Sequence, residues 1–540
     1  MNKRRKKTVL VISILAIGLI SGCGGPVQKV GTIQIPETKI DLGTTIGSLA
    51  EVFSLEPVAV EGYGLVGGLE QTGSAECPPE VRAYLQQYIL KQLSRADVNI
   101  ERLISSRDTA VVRVYAMMPT AGARNEYFDA GVSALEGTQT TSLEGGWLYG
   151  TELKMRGGFG ITVKVLATAE GPVYIDTIEP VPTNKRAGYV LAGGTVLDEY
   201  NVRLALRRPD YKIASLIRNR LNERFGEGTA KALSPSLIEL SVPAKYTKQK
   251  NRFISIVKST YLTETAQATK DRINTFIREL AASEKKEQSE IALESIGNKS
   301  FSKLSALLNS SNEEVRLRAA RCMLNLGSDK GLNSLREIAM DKGSLYRLEA
   351  LEAIATGASR NDAAAISRTL LRDNDFDIIL AAYETLRKLD DIAIIQSLIG
   401  RNFYLEQIAQ TEHKVIFVSR SGQPRIVLFG APIYCRDNIF VESGDGNITI
   451  NAPAGEESVS IIRKHPKRPN IVVQLQSSFE LSDIIRTLCE EPLKKTDDEQ
   501  RGLNVSYNEA IVLLKQMCDK GALRAEFRAG PLPKSVQLSR

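Results

Sequence analysis

Histidine is nearly absent from this chain: two occur, His413 and His465, in 540 residues. Neither has a cysteine or carboxylate neighbour at metal-ligand spacing, so zinc chemistry has no obvious ligand set. A triad built on His413 would need partners the sequence does not nominate. No C-x-x-C pair occurs, nor a Walker A loop, a G-x-S-x-G elbow or an H-E-x-x-H helix. A protein without catalysis, cofactor or metal is therefore expected. Carboxylates such as Glu490-Glu491 and Asp497-Asp498-Glu499 read as loop or helix-end charges. The single tryptophan, Trp147, follows Gly145-Gly146 in a strand-like segment, where packing is its expected role.

A persistent positive charge is also missing. The formal balance is +7, but Lys3, Arg4, Arg5, Lys6 and Lys7 sit in a segment expected to be removed. Without those five, the 70 Lys and Arg fall to 65 against 63 Asp and Glu, leaving +2. That argues against a nucleic-acid partner. The run 463-RKHPKRPN-470 reads as a basic loop between strands, either a solvated turn or a contact for acidic surfaces. The longest apolar feature, Val9 to Ile20, is too short for a membrane span of about 20 residues. It follows a basic head and ends in Ile20-Ser21-Gly22-Cys23, which resembles the bacterial lipobox. Residues 1–22 are thus expected to be a lipoprotein signal peptide, with Cys23 taking the lipid. An ordinary secretory signal with a chance cysteine would begin the same way. Gly24 and Gly25 follow with no aspartate, which by resemblance to sorted lipoproteins favours the inner leaflet of the outer membrane. The other cysteines, Cys77, Cys322, Cys435, Cys489 and Cys518, are odd in number and scattered, which is no disulfide framework. One bridge from Cys435 to Cys489 or Cys518 fits an oxidising compartment. Buried thiols fit as well.

With 43% hydrophobic and 25% charged residues, the chain can bury large cores, and its length allows two to four domains of about 100–200 residues. Residues 23–43 read as an extended tether. Strand and helix signals then mix over 44–262. The segment 79-PEVRAYLQQYILKQL-93 places Val81, Tyr84, Leu85, Tyr88, Ile89 and Leu93 on one helical face, with Pro78 and Pro79 at its first turn. Strands are predicted at 109–118, 161–168 and 202–207. After the last comes a helix from Tyr211 to Phe225, with Ile213, Leu216, Ile217 and Leu221 on one face and Gly226 and Gly228 at its end. Strands at 229–233 and 237–242 complete an α+β wedge whose open edges suit side-by-side packing.

Composition shifts near 263 toward Ala, Leu, Glu and Arg. The segment 317-LRAARCMLNLG-327 aligns with 347-RLEALEAIATG-357, matching Ala320 to Ala350, Leu324 to Ile354 and Gly327 to Gly357 at a period of 30. Ala292 and Ile296 precede the series, and Ala382 and Leu386 continue it. Second helices are predicted at 301–309, 332–340, 363–371 and 392–399. The small alanine lets paired helices approach, and the larger residue fills the seam. This resembles HEAT-like α-solenoid repeats, about four of them over 263–412, which would offer a protein-binding face. A plain helical bundle is the alternative. Over 413–540 strands return, at 414–419, 425–430, 438–443, 447–452 and 471–476. Two helices close the chain, at 479–491 and 506–520.

The stretch 62-GYGLVGGLEQTG-73 spells G-x-G-x-x-G at Gly62, Gly64 and Gly67. A dinucleotide site needs a helix opening straight after the motif. Here turn formers follow, and no helix begins before Pro78-Pro79. The glycines instead suit a strand with a bulge or a close backbone approach.

The same stretch resembles the signature of the bacterial flagellar P-ring protein family. Gly62, Tyr63, Gly64, Leu65, Val66, Gly68, Leu69, Thr72 and Gly73 match it, whereas Gln71 replaces a family glycine and Ser74 an aspartate. Further matches are Pro119, Asp129, Val132, Ser133, Ser142, Leu143, Gly145, Gly146, Leu148, Thr151 and Leu153. The block 204-LALRRPDYKIASLIRNRLNERFG-226, with Arg207, Pro209 and Asp210, and the closing 506-SYNEAIVLLKQMCDKGALRAEF-527 also resemble the family. The likeness spans about 50–262 and 413–530. It implies an α+β fold of P-ring-like mixed sheet and helix domains, interrupted by an all-α HEAT-like solenoid insert that the family lacks. A lipidated cysteine is a second departure.

By this resemblance the chain is a structural subunit of a homo-oligomeric periplasmic ring around the flagellar rod, in contact with rod and outer-membrane ring proteins. It would be held to the membrane through Cys23, with the solenoid hanging from the ring toward an unknown protein partner. The alternative is an outer-membrane-anchored scaffold or adaptor lipoprotein whose repeats bind a partner, with no role in motility.

Overall fold

The computed structural model describes residues 41–53, 57–92, 99–119, 123–158, 160, 162–178, 183–198, 201–465, 468–492 and 502–533. The leader, Cys23, most of the tether, Leu93 and Lys467 lie outside them. No helix among the described residues is long and apolar enough to cross a membrane.

Strand β1 (Ala50–Phe53) precedes a barrel of six strands: β2 (Val58–Gly67), β3 (Thr109–Met118), β4 (Tyr127–Ala134), β5 (Trp147–Met155), β6 (Val165–Pro172) and β7 (Ala187–Val196). The barrel closes in the order β2-β3-β4-β7-β6-β5, with antiparallel neighbours throughout. Alternate residues of β3, Val112, Val114, Ala116 and Met118, enter the core with Val132, Leu148 and Leu153. Closure leaves no free edge on this sheet. The seam is between β2 and β5, which pair at Val60–Glu61 and again at Val66–Gly67 with a shift between. A Cβ on Gly62 would lie 2.1 Å from the Glu152 carbonyl oxygen, and one on Gly64 2.2 Å from Thr151 Oγ1. The glycine spacing thus lets two backbones touch where the barrel shuts. The strand expected at 161–168 begins later, at Val165, because the β5 ladder it joins starts with the pair Lys154–Val165. The helix Pro79–Gln92 covers the outside of the barrel, burying Val81, Tyr84 and Leu85 beside Leu65 and Val111.

The wedge is formed by β8 (Val202–Leu206), the helix Tyr211–Phe225, β9 (Ala230–Ser234) and β10 (Leu237–Leu240). Its sheet has the order β1-β8-β10-β9. Ala214, Ile217 and Leu221 form the buried helix face. Leu216, expected there, is 46% exposed, since it is one residue and therefore about 100° away from Ile217. A helix the sequence did not reveal, Lys250–Ser259, buries Phe253, Ile254, Ile256 and Val257 under the sheet.

Helices Ala266–Ala282, Lys286–Ile296, Phe301–Leu307, Glu313–Asn325, Leu332–Met340, Arg347–Gly357, Arg360–Leu370 and Phe376–Lys388 follow. The aligned positions Ala292, Ala320, Ala350 and Ala382 are all buried, as are Ile296, Leu324, Ile354 and Leu386. The helix expected at 392–399 is a correction: Ile395–Ile399 is a strand, β11, paired antiparallel with β12 (Phe403–Ile408). Its β-branched isoleucines serve a ladder as readily as a helix face, and the neighbouring strand decides. Strand structure therefore resumes before residue 412.

A five-stranded sheet, β11-β12-β14-β13-β19, also contains β13 (Val415–Val418), β14 (Arg425–Phe429) and, near the end of the chain, β19 (Glu526–Ala529). Between β14 and β19, an antiparallel sheet runs through β15 (Ile439–Glu442), β16 (Ile448–Ala452), β17 (Val459–His465) and β18 (Arg468–Ser477). Strand β17 was not foreseen. The run expected as a basic loop is mostly ladder, with Arg463 and Lys464 paired to Val473 and Val472. Helices Leu481–Cys489 and Tyr507–Asp519 complete the chain. The five-stranded sheet is buried on both faces. Leu405, Ile416, Val418, Ile426 and Leu428 join the core under the last two helices. Ile408, Val415, Phe417, Val427 and Phe429 join the core of the helical repeats. The runs 415-VIFV-418 and 426-IVLF-429 are apolar at every position for this reason. Phe429 meets Phe376 and Tyr383 edge-on, each at 5.4 Å between ring centroids. The helical stretch is thus built into the last sheet rather than hanging from it.

Barrel and C-terminal sheets share no strand, but they share a core. Tyr174 and Leu191 lie in the same cluster as Tyr507 and Ile426. Both Asp129 oxygens accept the Gly422 N–H at 2.9 Å, and Oδ1 also accepts the Ala192 N–H at 2.7 Å. Arg420 pairs with Asp176 at 3.0 Å, and Asn508 Nδ2 donates to the Ile175 carbonyl at 2.8 Å.

The wedge meets the repeats through buried charge. Glu290 is fully buried and is met by Arg252, Arg321 and Arg318 at 2.6, 2.6 and 3.3 Å. Burial alone would raise its pKa, but Arg252 and Arg321 outweigh it and hold the carboxyl down to about 2. Burial raises the pKa of its neighbour Glu294, which Arg252 only partly opposes. A carboxyl with a depressed folded pKa contributes stability above its unfolded value, near 4.5, and loses it as pH falls toward 2. Glu294 has the opposite sign, its contribution falling as pH rises through its folded pKa. Glu290→Gln is expected to destabilise the chain by about 1–3 kcal/mol, because it removes the charge that three largely buried guanidinium groups share, leaving Arg321 with only Glu349 at 4.0 Å while Arg252 and Arg318 keep Glu294 and Glu314. It should also flatten the acid limb between pH 4.5 and 2, as urea unfolding at stepped pH would show.

Candidate assembly surface and signature loops

The signature residues converge on one end of the barrel. Strand β2 leaves the wall at Gly67, and a turn with Gly68 at φ +78°, Glu70 at +47° and Gln71 at +73° follows. Leu69 turns back into the core, fully buried beside Val66 and Leu143. Thr72 Oγ1 donates to the Leu69 and Ser142 carbonyls at 2.7 and 2.9 Å, and the Thr72 carbonyl accepts the Thr141 N–H at 2.8 Å. Gly73 N–H donates to the Arg107 carbonyl at 2.8 Å. A Cβ on Gly73 would lie 2.1 Å from the Thr109 oxygen, and one on Gly146 2.4 Å from Val66 Cγ1. Gly145, at φ +73°, lets the second loop turn into β5. Gly62, Tyr63, Gly64, Leu65 and Val66 form the wall below. The two loops are therefore a hydrogen-bonded cap, and neither presents a helix N-terminus to a phosphate.

Arg207, Pro209 and Asp210 lie apart from this cap, in the wedge. Asp210 Oδ1 accepts the Lys212 and Ile213 N–H groups at 2.7 and 3.1 Å and so caps the helix Tyr211–Phe225. Pro209 precedes the cap and keeps the helix from starting earlier. Arg207 donates its backbone N–H to the Leu49 carbonyl at 2.9 Å, and its side chain reaches Glu51 at 3.3 Å. These residues fix how β8 enters the helix and how β1 lies on β8.

Several side chains stand differently from expectation. Trp147 opens β5 with its ring outward, 41% exposed, beside Tyr149 at 46%. A strand buries alternate residues, and Leu148 takes the inward place. Lys154 is buried instead, held by the Gly160 carbonyl at 2.9 Å, Tyr84 Oη at 3.2 Å and Glu152 at 3.3 Å. Glu61 pairs with Arg113 across β2 and β3. Burial would raise its pKa, but Arg113 and the Gly157 N–H at 2.9 Å bring it below the usual carboxylate range. Neither pair has a periodic or motif signal in the sequence. His413 is exposed. Among the described residues no three His, Cys, Asp or Glu side chains converge as metal ligands. Cys77, Cys322, Cys435, Cys489 and Cys518 are free thiols, so neither bridge considered for Cys435 is formed. Burial pushes the Cys435 thiol up to about 12.

A family model described as the flagellar P-ring protein matches residues 45–275. Over these residues the chain is similar to the flagellar P-ring protein family. A flagellar P-ring protein of Anaeromyxobacter dehalogenans (strain 2CP-C) is 33% identical over 216 residues, covering 37% of this chain and 54% of the relative. That of Thermotoga maritima is 32% identical over 212 residues, or 36% and 60% of the two chains. That of Hydrogenovibrio crunogenus is 27% identical over 250 residues, or 42% and 64%. The chain thus spans less than two thirds of these relatives' length. The matched region holds the barrel, the wedge and the start of the helical stretch. The second stretch of resemblance, 413–530, lies outside it.

Both departures from the P-ring signature have a local account. Gln71 occupies a left-handed position, which explains the family glycine there. Its backbone N–H and Nε2 both donate to Asp108 Oδ1 at 3.0 Å, holding the strained turn. Ser74 is buried, and its Oγ accepts the Glu76 and Gln139 N–H groups at 3.1 and 3.3 Å, as an aspartate would. Gly62→Ala is expected to cost about 1–3 kcal/mol, because the methyl group meets backbone rather than a mobile side chain. Gly444→Ala, where a Cβ meets nothing within 4 Å, should change stability by less than about 0.5 kcal/mol. Parallel denaturant titrations would measure both.

Proposed function

We propose that this chain is a structural subunit of a periplasmic ring, the flagellar basal-body P ring or a close counterpart, through which the rod turns. The observation that carries this is the family match over 45–275, which coincides with the barrel and wedge. The signature residues hold these two bodies in shape and form no chemical centre, as suits a passive bushing. Copies joined head to tail through unlike surfaces close into a ring when the rotation between them closes. The rod and the outer-membrane ring would be the neighbours. Cys23, once acylated, would tether each subunit to the inner leaflet of the outer membrane, with each buried CH₂ of lipid contributing about 0.8 kcal/mol. The repeats would brace the ring and offer their outer face to a further envelope protein. Residues 413–530 would complete the subunit, as their resemblance to the family suggests.

Deleting the gene should abolish swimming, and electron cryo-tomography of the envelope should show basal bodies without the ring. Normal swimming with intact rings would overturn the reading. Cys23→Ala should move the protein from the membrane fraction to the soluble periplasmic fraction, as immunoblots of fractionated cells would show.

A further inference from the structure

The antiparallel sheet β15-β16-β17-β18 leaves both of its outer edges unpaired. The β18 edge is long, and its stretch 470-NIVVQLQS-477 carries no charge. Ile471 and Val472 there are 46% and 51% exposed, and Phe440 on the β15 edge is 59% exposed. An open apolar edge of this kind is a template for a further strand. We infer that in the assembled ring the β18 edge of each copy receives the β15 edge of the next. The inference rests on the ring reading above. Direction, hydrogen-bond phase, packing and charge all bear on it.

Each neighbouring pair in the sheet is antiparallel, so β15 and β18 run in opposite directions. A second copy in nearly the same orientation lays its β15 antiparallel to β18, and the ladder continues.

The backbone groups needed are free. Ser443 N–H donates to the Ile448 carbonyl and Lys464 N–H to the Asn447 carbonyl, each at 2.8 Å. Hydrogen-bonded pairs recur at every second residue of an antiparallel ladder. Ile439 and Val441 therefore face β16, and Phe440 and Glu442 face outward. By the same alternation Val473 and Leu475 face β17, and Val472 and Gln474 face outward. Among the described residues, none bonds to the backbone N–H or carbonyl of these four outward positions.

Packing selects the register. Ile439 and Val441 point into the core, and Val473 and Leu475 are partly buried beside it. Setting Val441 against Val473 and Ile439 against Leu475 continues the apolar face across the joint. The same register makes Glu442–Val472 and Phe440–Gln474 hydrogen-bonded pairs, each exchanging both bonds. A shift of two residues toward the end of β18 would set Ile439 against polar Ser477. A shift the other way would run β15 past Val472, where the β17–β18 ladder is already irregular.

Charge agrees with that register. Lys464 stands opposite Val472 on the solvent face, so Glu442 of the next copy would face Lys464 across the Val472 side chain. Glu442 and Asp445 thereby approach the basic run 463-RKHPKRPN-470, whose first two residues pair with Val473 and Val472. Within one chain Glu442 and Val472 are three strand spacings apart, at least about 14 Å, so they meet only between copies.

The test uses the full-length chain in a bacterial envelope. Cα atoms of a hydrogen-bonded pair lie about 5.5 Å apart, within disulfide reach. With Glu442→Cys and Val472→Cys combined, mild oxidation should give a ladder of disulfide-linked multimers on a non-reducing gel. Either single variant should give none beyond the background of the native cysteines. Gln474→Pro removes an outward N–H, which a sheet edge tolerates. That variant should melt as the wild type does, while its multimer fraction in sedimentation falls several-fold. Multimers that form normally, without the 442–472 link and without response to Gln474→Pro, overturn the edge joint and leave the ring reading standing. A wild-type chain that stays monomeric in the envelope overturns both. A link from position 472 to a cysteine placed within 24–40 would make the tether the occupant of the β18 edge and overturn the joint.

Discussion

Glu290 sits in the interior among three guanidinium groups, and the attachment of the helical repeats to the wedge depends on it. Arg252 comes from the helix beneath the wedge sheet, and Arg318 and Arg321 from the repeat helix Glu313–Asn325. A carboxylate taken out of water is tolerated only when it is paired and hydrogen-bonded. The need to satisfy it therefore fixes the two bodies in one relative position, which apolar packing alone would specify less sharply. Arg224 adds to the same joint by donating to the Glu294 carbonyl, and Lys245 by donating to that of Asn325.

From that joint the chain closes on itself. The repeats lead to the five-stranded sheet, which they cover on one face. The other face belongs to a core that includes Tyr174 and Leu191 from the barrel region. Asp129 then ties the barrel strand β4 to the turn at Gly422. Wedge, repeats, C-terminal sheets and barrel are joined in series by buried polar or apolar anchors, and the ion pair of Lys250 with Glu126, at 2.9 Å, closes the circuit from wedge to barrel. Such a circuit makes the described bodies rigid together, because no body can swing free without breaking a second contact. The repeats accordingly act as a strut between the wedge and the C-terminal sheets.

The family signature shows how a glycine-rich motif can be strict without chemistry. Gly62 and Gly64 are set by contact with β5, and Gly73 and Gly146 by the closeness of the cap to the wall. Gln71 holds the left-handed turn with a side-chain contact where the family uses glycine. Steric demand accounts for these positions, and no bound phosphate is needed to explain them.

Periodicity made much of the local structure legible. The helix Tyr211–Phe225, the strand Thr109–Met118 and the alanine seam from Ala292 to Ala382 follow from spacing and from stop signals such as Gly226. The ring-protein likeness was carried by Gly62–Gly73 and by Arg207, Pro209 and Asp210. Partnership was not legible. Ile395–Ile399 carries side chains that fit helix or strand, and only Phe403–Ile408 alongside makes it a strand. Closure of the barrel at β2–β5, the outward turn of Trp147 and the meeting of Glu290 with Arg252 depend on residues distant in sequence. The sequence alone determined which segments bend, coil or extend, because those choices rest on dihedral preference and on the pattern of apolar side chains along a few turns. Only the tertiary structure decided which faces and charges meet, because burial of a charge or a sheet face is a property of two surfaces at once.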